Sequence, residues 1–318
     1  MVAVRDRQRR RPKRHFRLPR LALDGYRRSL VTGIESTANN NVIESFAYAY
    51  DALNRPTARN ADAFGYNARS EVTTASVNSD IYSYGYDDIG NSTYYTPNNL
   101  NQYTEFTYDA DGNILTDGYT SFTYDAANRL KTVSRNGYIV MTNFYDAKSR
   151  RVRKVTPEYA ATFFYDDWNL IEERIAYTNG TASTIRYYWG KDISGDLQGA
   201  GGVGGLLYLT VDGAIYIPCY DNNGNITCYL DANGNIVAQY IYDPFGGIPS
   251  SVGPLAGLFC HLFSTKYCDN ETGLYYYGYR FYCPWLMRWI NRDTIEENGG
   301  DNLYAVCGNN ANCYVDFN

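Results

Sequence analysis

Along most of the chain, short stretches of alternating apolar and polar residues are broken by clusters of Asn, Asp, Gly and Thr. Residues 104–118, TEFTYDADGNILTDG, show the unit clearly. Phe106 and Tyr108 share one face of a strand, Thr107 and Asp109 the other, and Ile114 and Thr116 begin a return strand. The Asp109 carboxylate is placed to accept backbone N–H groups of the turn behind it, and Gly112-Asn113 would supply positions with φ > 0. The pattern is aromatic-x-Tyr-Asp, a small turn, then a short apolar strand. It recurs at Tyr50, Tyr66 (followed by Asn67), Tyr86, Tyr108, Tyr124, Tyr145 and Tyr165, spaced by 16, 20, 22, 16, 21 and 20 residues. It returns at a shorter step at Tyr220-Asp221, Leu230-Asp231 and Tyr242-Asp243. A period near twenty marks a repeat architecture, in which each hairpin buries its aromatic face only by stacking on its neighbours. The predicted fold is all-β, with strands of about five to eight residues wound into one curved, continuous sheet. The last stretch, from Tyr242, differs. Leu274 to Phe281 is aromatic or glycine at nearly every second position, which predicts a twisted strand, and this segment is expected to fold inward and close the wall.

Composition sharpens this picture. The chain has 34 tyrosines and 28 glycines against 3 methionines and 2 histidines, the chemistry of strands and turns. So many phenols need hydrogen-bond partners once buried, so the interior should be amphipathic. The net charge of −5 hides an asymmetry: residues 1–30 hold eleven Lys/Arg and two Asp, leaving the remainder near −14. The basic leader, residues 1–45, is expected to be disordered. It has no apolar core of a signal peptide and few interleaved aromatics, so no nucleic-acid partner is expected. The longest apolar run, Gly199 to Val211, is too short and glycine-rich to span a bilayer. All seven cysteines lie in the final hundred residues without a C-x-x-C pair, which argues against structural zinc and for buried free thiols.

Several motifs invite a chemical reading. LQGAGGVGGLL contains G-x-G-x-x-G from Gly199 to Gly204, but the strand-like LLYLTV follows where a dinucleotide site needs a helix, so no cofactor is expected. Asp109, Asp111 and Asn113 imitate a calcium loop, but the glycine is two places early and no Glu closes the loop. Cys260 and His261 are sequence neighbours, which in a strand point to opposite faces and make a poor dyad.

The recurring Tyr-Asp units resemble the Rhs/YD-repeat family: Rhs polymorphic toxins, the shell component of insecticidal toxin complexes, and the YD shell of teneurins. Leu197–Leu207 and the blocks YDPFG, FSTKYCDNETGLYYYGYRFY, RWINRD, NLYAVCGNN and YVD are similar to the Rhs-associated core. The resemblance implies a spiral shell segment over residues 46–190 and an Rhs-associated core over 191–318. It implies a secreted or cell-surface scaffold that encapsulates or presents a C-terminal toxin segment, with a secretion apparatus or immunity protein as further partners. The chain reaches Asn318 before that toxin segment, and a wall of this length has few turns with which to enclose one. In such cores two aspartates are thought to cut the chain just beyond the core. Asp293 and Asp316, 23 residues apart, match those positions, and Arg292 matches the basic residue before the first. One carboxylate would activate a water and its partner protonate the leaving amide. The Asp-Pro-x-Gly pattern is altered: Thr294 and Glu296 replace its first Pro and Gly, and Phe317 its second Pro. A carbohydrate-binding or adhesion module, with tyrosines stacking on sugar rings, is the remaining alternative.

Overall fold

A computed structural model describes the backbone of residues 16–23 and the whole of residues 30–316. Residues 1–15 and 24–29 of the basic leader lie outside the described residues. The ordered sheet starts earlier than residue 46, however, because Val31–Ala38 and Asn41–Tyr50 are paired strands. Three antiparallel sheets account for the described strands. One has seven strands from Phe16–Leu23 to Asp80–Ser83, and one has fourteen from Thr107–Tyr108 to Ser250–Val252. In both, each strand pairs with the next in sequence. Between them, residues 84–106 carry only two isolated bridges, Tyr86 to Ser92 and Pro97 to Tyr103. The expected continuous sheet therefore thins here to two rungs. Strand lengths also range more widely than expected, from two residues (Thr107–Tyr108) to ten (Asn41–Tyr50).

The repeat works through two side chains. Each aspartate closes its own turn: Asp51, Asp87, Asp109, Asp125, Asp146, Asp221, Asp231 and Asp243 accept, on one oxygen, the backbone N–H groups two and four residues on. Asn67 does the same. Except at Asp243, where i+4 is Gly247, the other oxygen takes the side chain at i+4, an Asn (Asn91, Asn113, Asn225, Asn235) or an Arg (Arg55, Arg129, Arg150). The arginines then reach the next turn: Arg55 donates to Asn67 O, Arg129 to Asp146 O and Arg150 to Asp167 O. Of the expected Gly112-Asn113 pair only Gly112 has positive φ, at +85°. Asn113 instead serves as the i+4 partner of Asp109. Asp166 departs from the pattern, pairing with Asn169 across a two-residue turn.

In most units the tyrosine ties the unit to the one before. Its hydroxyl donates to a carbonyl on the preceding return strand: Tyr66 to Pro56, Tyr86 to Val72, Tyr124 to Ile114, Tyr145 to Leu130, Tyr165 to Arg151, Tyr220 to Leu206 and Tyr242 to Ile226, at 2.6–3.0 Å. The Tyr108 hydroxyl instead accepts the Tyr103 N–H. At Tyr50, Tyr66, Tyr108, Tyr124, Tyr145, Tyr165, Trp189 and Tyr220 the pairing register slips by one residue. A bulge placed once per repeat adds twist each time and curls the ladder.

The curl brings distant rungs together. Asn39 donates to Asn233 O, the Asn222 N–H to Tyr48 Oη, and Arg59 pairs with Asp221 at 3.1 Å. The last part of the chain fills the space inside. Leu274 to Phe281 is a hairpin, Leu274–Tyr276 and Phe281–Cys283, turning at Gly278 (φ +97°), not the single strand predicted. With Tyr267–Asp269 and Arg288–Trp289 it forms a four-stranded sheet whose rings share one core with the wall residues Ile114, Phe122, Val133, Phe163, Ile185, Leu209 and Tyr229. Trp289, Tyr282, Tyr275 and Tyr304 are among the largest fully buried side chains.

Candidate functional site

Arg280 follows the Gly278 turn and enters the strand Phe281–Cys283. Its guanidinium is 5% exposed and lies 4.1 Å from the centroid of the Trp289 ring. One nitrogen meets Asp293 Oδ2 at 2.8 Å, and another meets Asp316 Oδ2 at 3.4 Å. The fold thus brings the two aspartates onto one buried cation across 23 residues of sequence. Asp293 also begins a turn: its Oδ1 accepts the Ile295 N–H at 3.0 Å, and its own N–H donates to Leu303 O at 2.9 Å. No glycine directly follows Ile295 in the sequence, yet Glu296, at the pattern's glycine position, sits at φ +55°. The turn keeps the glycine conformation without the glycine.

Arg292 stands elsewhere. Adjacent to Asp293, it faces the other way and packs on Gly112 and Tyr304: a Cβ at Gly112 would fall 2.4 Å from Arg292 Cδ. The cation that holds both aspartates is Arg280, which the motif reading missed. Its signal was present: a single arginine inside the aromatic run of residues 274–282 must be paired if it is buried. A proton-sharing dyad needs its two carboxyls to face each other. Here one oxygen of each carboxyl meets a guanidinium nitrogen of Arg280.

A second charged cluster supports this end of the core. Arg151, Lys154 and Asp269 are at most 1% exposed. Arg151 Nη1 and Lys154 Nζ meet the two Asp269 oxygens at 2.6 and 2.9 Å, and Lys154 also meets Glu271 at 3.2 Å. Burial opposes the Asp269 charge, but the two cations hold its carboxyl below the usual carboxylate range. Glu173 accepts from the Tyr187 and Tyr267 hydroxyls at 2.9 and 2.8 Å, and burial pushes its carboxyl up. Lys266 donates to Gly201 O at 3.0 Å. Burial lowers its ammonium to about 8, partly offset by Asp316 and Asp192.

The glycine-rich loop does not offer its amides to a phosphate. Asp192 Oδ2 accepts the N–H groups of Ala200 and Gly202 at 2.7 and 3.1 Å, and Leu206–Val211 follows as a strand. His261 is buried against Tyr187, Trp189 and Tyr267. Burial, reinforced by Lys266, depresses it to about 3.

The comparisons agree with this fold. The teneurin YD-shell family model matches residues 26–311. The tRNA3(Ser)-specific nuclease WapA of Bacillus spizizenii is 27% identical over 263 residues, covering 74% of this chain and 11% of that protein. Toxin subunit YenC2 of Yersinia entomophaga is 35% identical over 94 residues, 27% of this chain and 10% of that one. The chain therefore spans about a tenth of the length of these curated relatives. The crystal structure of TcdB2-TccC3-Cdc42 superposes with a TM-score of 0.77 at 18% identity, covering 94% of this chain and 18% of that one, and so shares the fold. With the Tyr-Asp struts, the spiralling ladder and the enclosed C-terminal sheet in place, the chain belongs to the teneurin YD-shell family.

Proposed function

We propose that this chain is the closing segment of a secreted or cell-surface toxin shell, a scaffold that holds and presents a C-terminal toxin segment. In this reading residues 191–318 act as the Rhs-associated core, and a secretion apparatus and an immunity protein are partners of the whole system. The observation that carries it is the ring of hydrogen bonds between residues 253–316 and successive rungs of the wall. Asn310 reaches Ser70 O, Asn302 reaches Asn91, Arg288 reaches Asn101 O, and Tyr304 reaches Gly112 O. Further round, Arg151 meets Asp269, Thr265 reaches Gly224 O, and Tyr282 reaches Phe245 O. A chain anchored at so many rungs fixes the position and direction of whatever is joined to it. The YD hydroxyls donate to carbonyls inside the wall.

A second reading is favoured by one observation, the meeting of Asp293 and Asp316 on Arg280: a self-cutting core that frees the downstream segment. A reporter domain fused after Asn318 tests both. As a scaffold alone, the fusion stays joined while residues 253–316 resist protease together with the wall. As a self-cutting core, the fusion splits near its junction, Asp293→Asn or Asp316→Asn keeps it whole, and Arg292→Ala leaves the splitting unchanged. Rapid digestion of 253–316 beside an intact wall would remove the scaffold reading.

A further inference from the structure

Cys219, on the strand Ala214–Tyr220, is paired directly with Cys228, on the strand Ile226–Asp231. Residues directly opposite each other in an antiparallel ladder have Cα atoms about 4.5 or 5.5 Å apart. Both spacings fall within the range of about 4.4 to 6.8 Å that a disulfide spans. Both thiols are free, 5% and 0% exposed, and they share a small cluster with Ala38 and Leu230, against Ile43 and Ile217. That cluster is where the first sheet meets the main one. Beside it Thr227 donates to Glu44, and Asp221, which opens the turn between the two cysteines, pairs with Arg59.

We propose that Cys219 and Cys228 are a modification site: an oxidisable cross-strand pair that closes into a disulfide and staples the seam of the wall. The oxidant is a low-molecular-weight disulfide such as oxidised glutathione. One thiol loses its proton and attacks a glutathione sulfur, expelling one glutathione thiolate and leaving a mixed disulfide. The second thiol, deprotonated in turn, attacks the protein-side sulfur and expels the other glutathione. Two protein thiols are oxidised, one small disulfide is reduced to two thiols, and the protons pass to the expelled thiolates. In the closed seam the neighbouring Cys219 thiol and burial push Cys228 up, away from its reactive thiolate. The exchange therefore belongs to folding, before residues 34–44 cover the pair.

A second pair provides an internal contrast. Cys268 donates its N–H to Cys260 O at 2.7 Å, so these two are also cross-strand neighbours. Their thiols, however, are hydrogen-bonded to Tyr267 and Tyr275.

The test is to refold the full chain in oxidised glutathione, alkylate free thiols under denaturing conditions, and digest with a protease that cuts before aspartate. Cleavage at Asp221 separates the two cysteines in sequence. The expected result is a pair of peptides carrying Cys219 and Cys228, joined until reductant is added, with Cys260 and Cys268 alkylated. Recovery of Cys219 and Cys228 as alkylated thiols, or joined to other cysteines, would overturn the assignment. A Cys219→Ala, Cys228→Ala chain gives a second readout. Reductant should lower the denaturant midpoint of the oxidised native chain and leave that of the double variant unchanged. An equal drop in both would also overturn it.

Discussion

Glu296 carries a side chain where its turn calls for none. At φ +55° an L-residue is disfavoured by about 1–2 kcal/mol, whereas glycine enters that region freely but loses more entropy on folding. Glu296→Gly should therefore raise stability by about 0.5–1 kcal/mol in urea unfolding, and an unchanged or lower midpoint would contradict the strain assigned here. His261 makes the opposite kind of prediction. Its folded value of about 3 lies far below the ordinary value near 6.5. The unfolded chain therefore takes up a proton that the folded chain refuses. The contribution is whole above about pH 6.5 and is lost as pH falls toward 3, by roughly 1 kcal/mol per pH unit. His261→Phe should remove that part of the slope, read as the difference between the two chains' unfolding free energies at pH 4.5 and 7.5. Parallel curves would argue against it. At this scale the turn aspartates were legible, because their partners are the next four residues of the chain. For Arg280 only the need of a partner was legible: which partners, Asp293 and Asp316, is decided in three dimensions.

The strand Arg151–Val155 shows why element-scale reading reaches a limit. Strict alternation places Arg151 and Arg153 on one face. In the fold, Arg151 and Lys154 are the buried ones, because the register slips between Phe144 and Tyr145 and one residue opposite is left over. The same slip recurs in repeat after repeat, and it has no sequence mark beyond the tyrosine itself. Its consequence here is an enclosed ion cluster with Asp269 at its centre. Asp269→Asn would leave Arg151 and Lys154 buried without their full counter-charge, and should cost about 3–5 kcal/mol. Its folded carboxyl is held below the unfolded value. The stability it lends is thus full above about pH 4 and is lost as pH falls further, a loss the variant should lack. A variant within about 0.5 kcal/mol of the native chain would show the cluster to be incidental.

For the whole molecule, the order of strands and the all-β class followed from the repeat, while the thin rungs at 84–106 and the depth to which the end of the chain is enclosed did not. Those depend on contacts between residues as far apart as Ser70 and Asn310. The wall's inner face is covered by the segment 253–316, and the two share one core. The C-terminal segment is therefore what the ladder folds around, and the claim is tested most directly by native-state hydrogen exchange on the full chain and on a chain ending at Val252. The prediction is that strands from Ile114 to Ile241 lose slow-exchanging amides throughout when the segment is absent. Wall strands that keep their full protection in the shortened chain would contradict it.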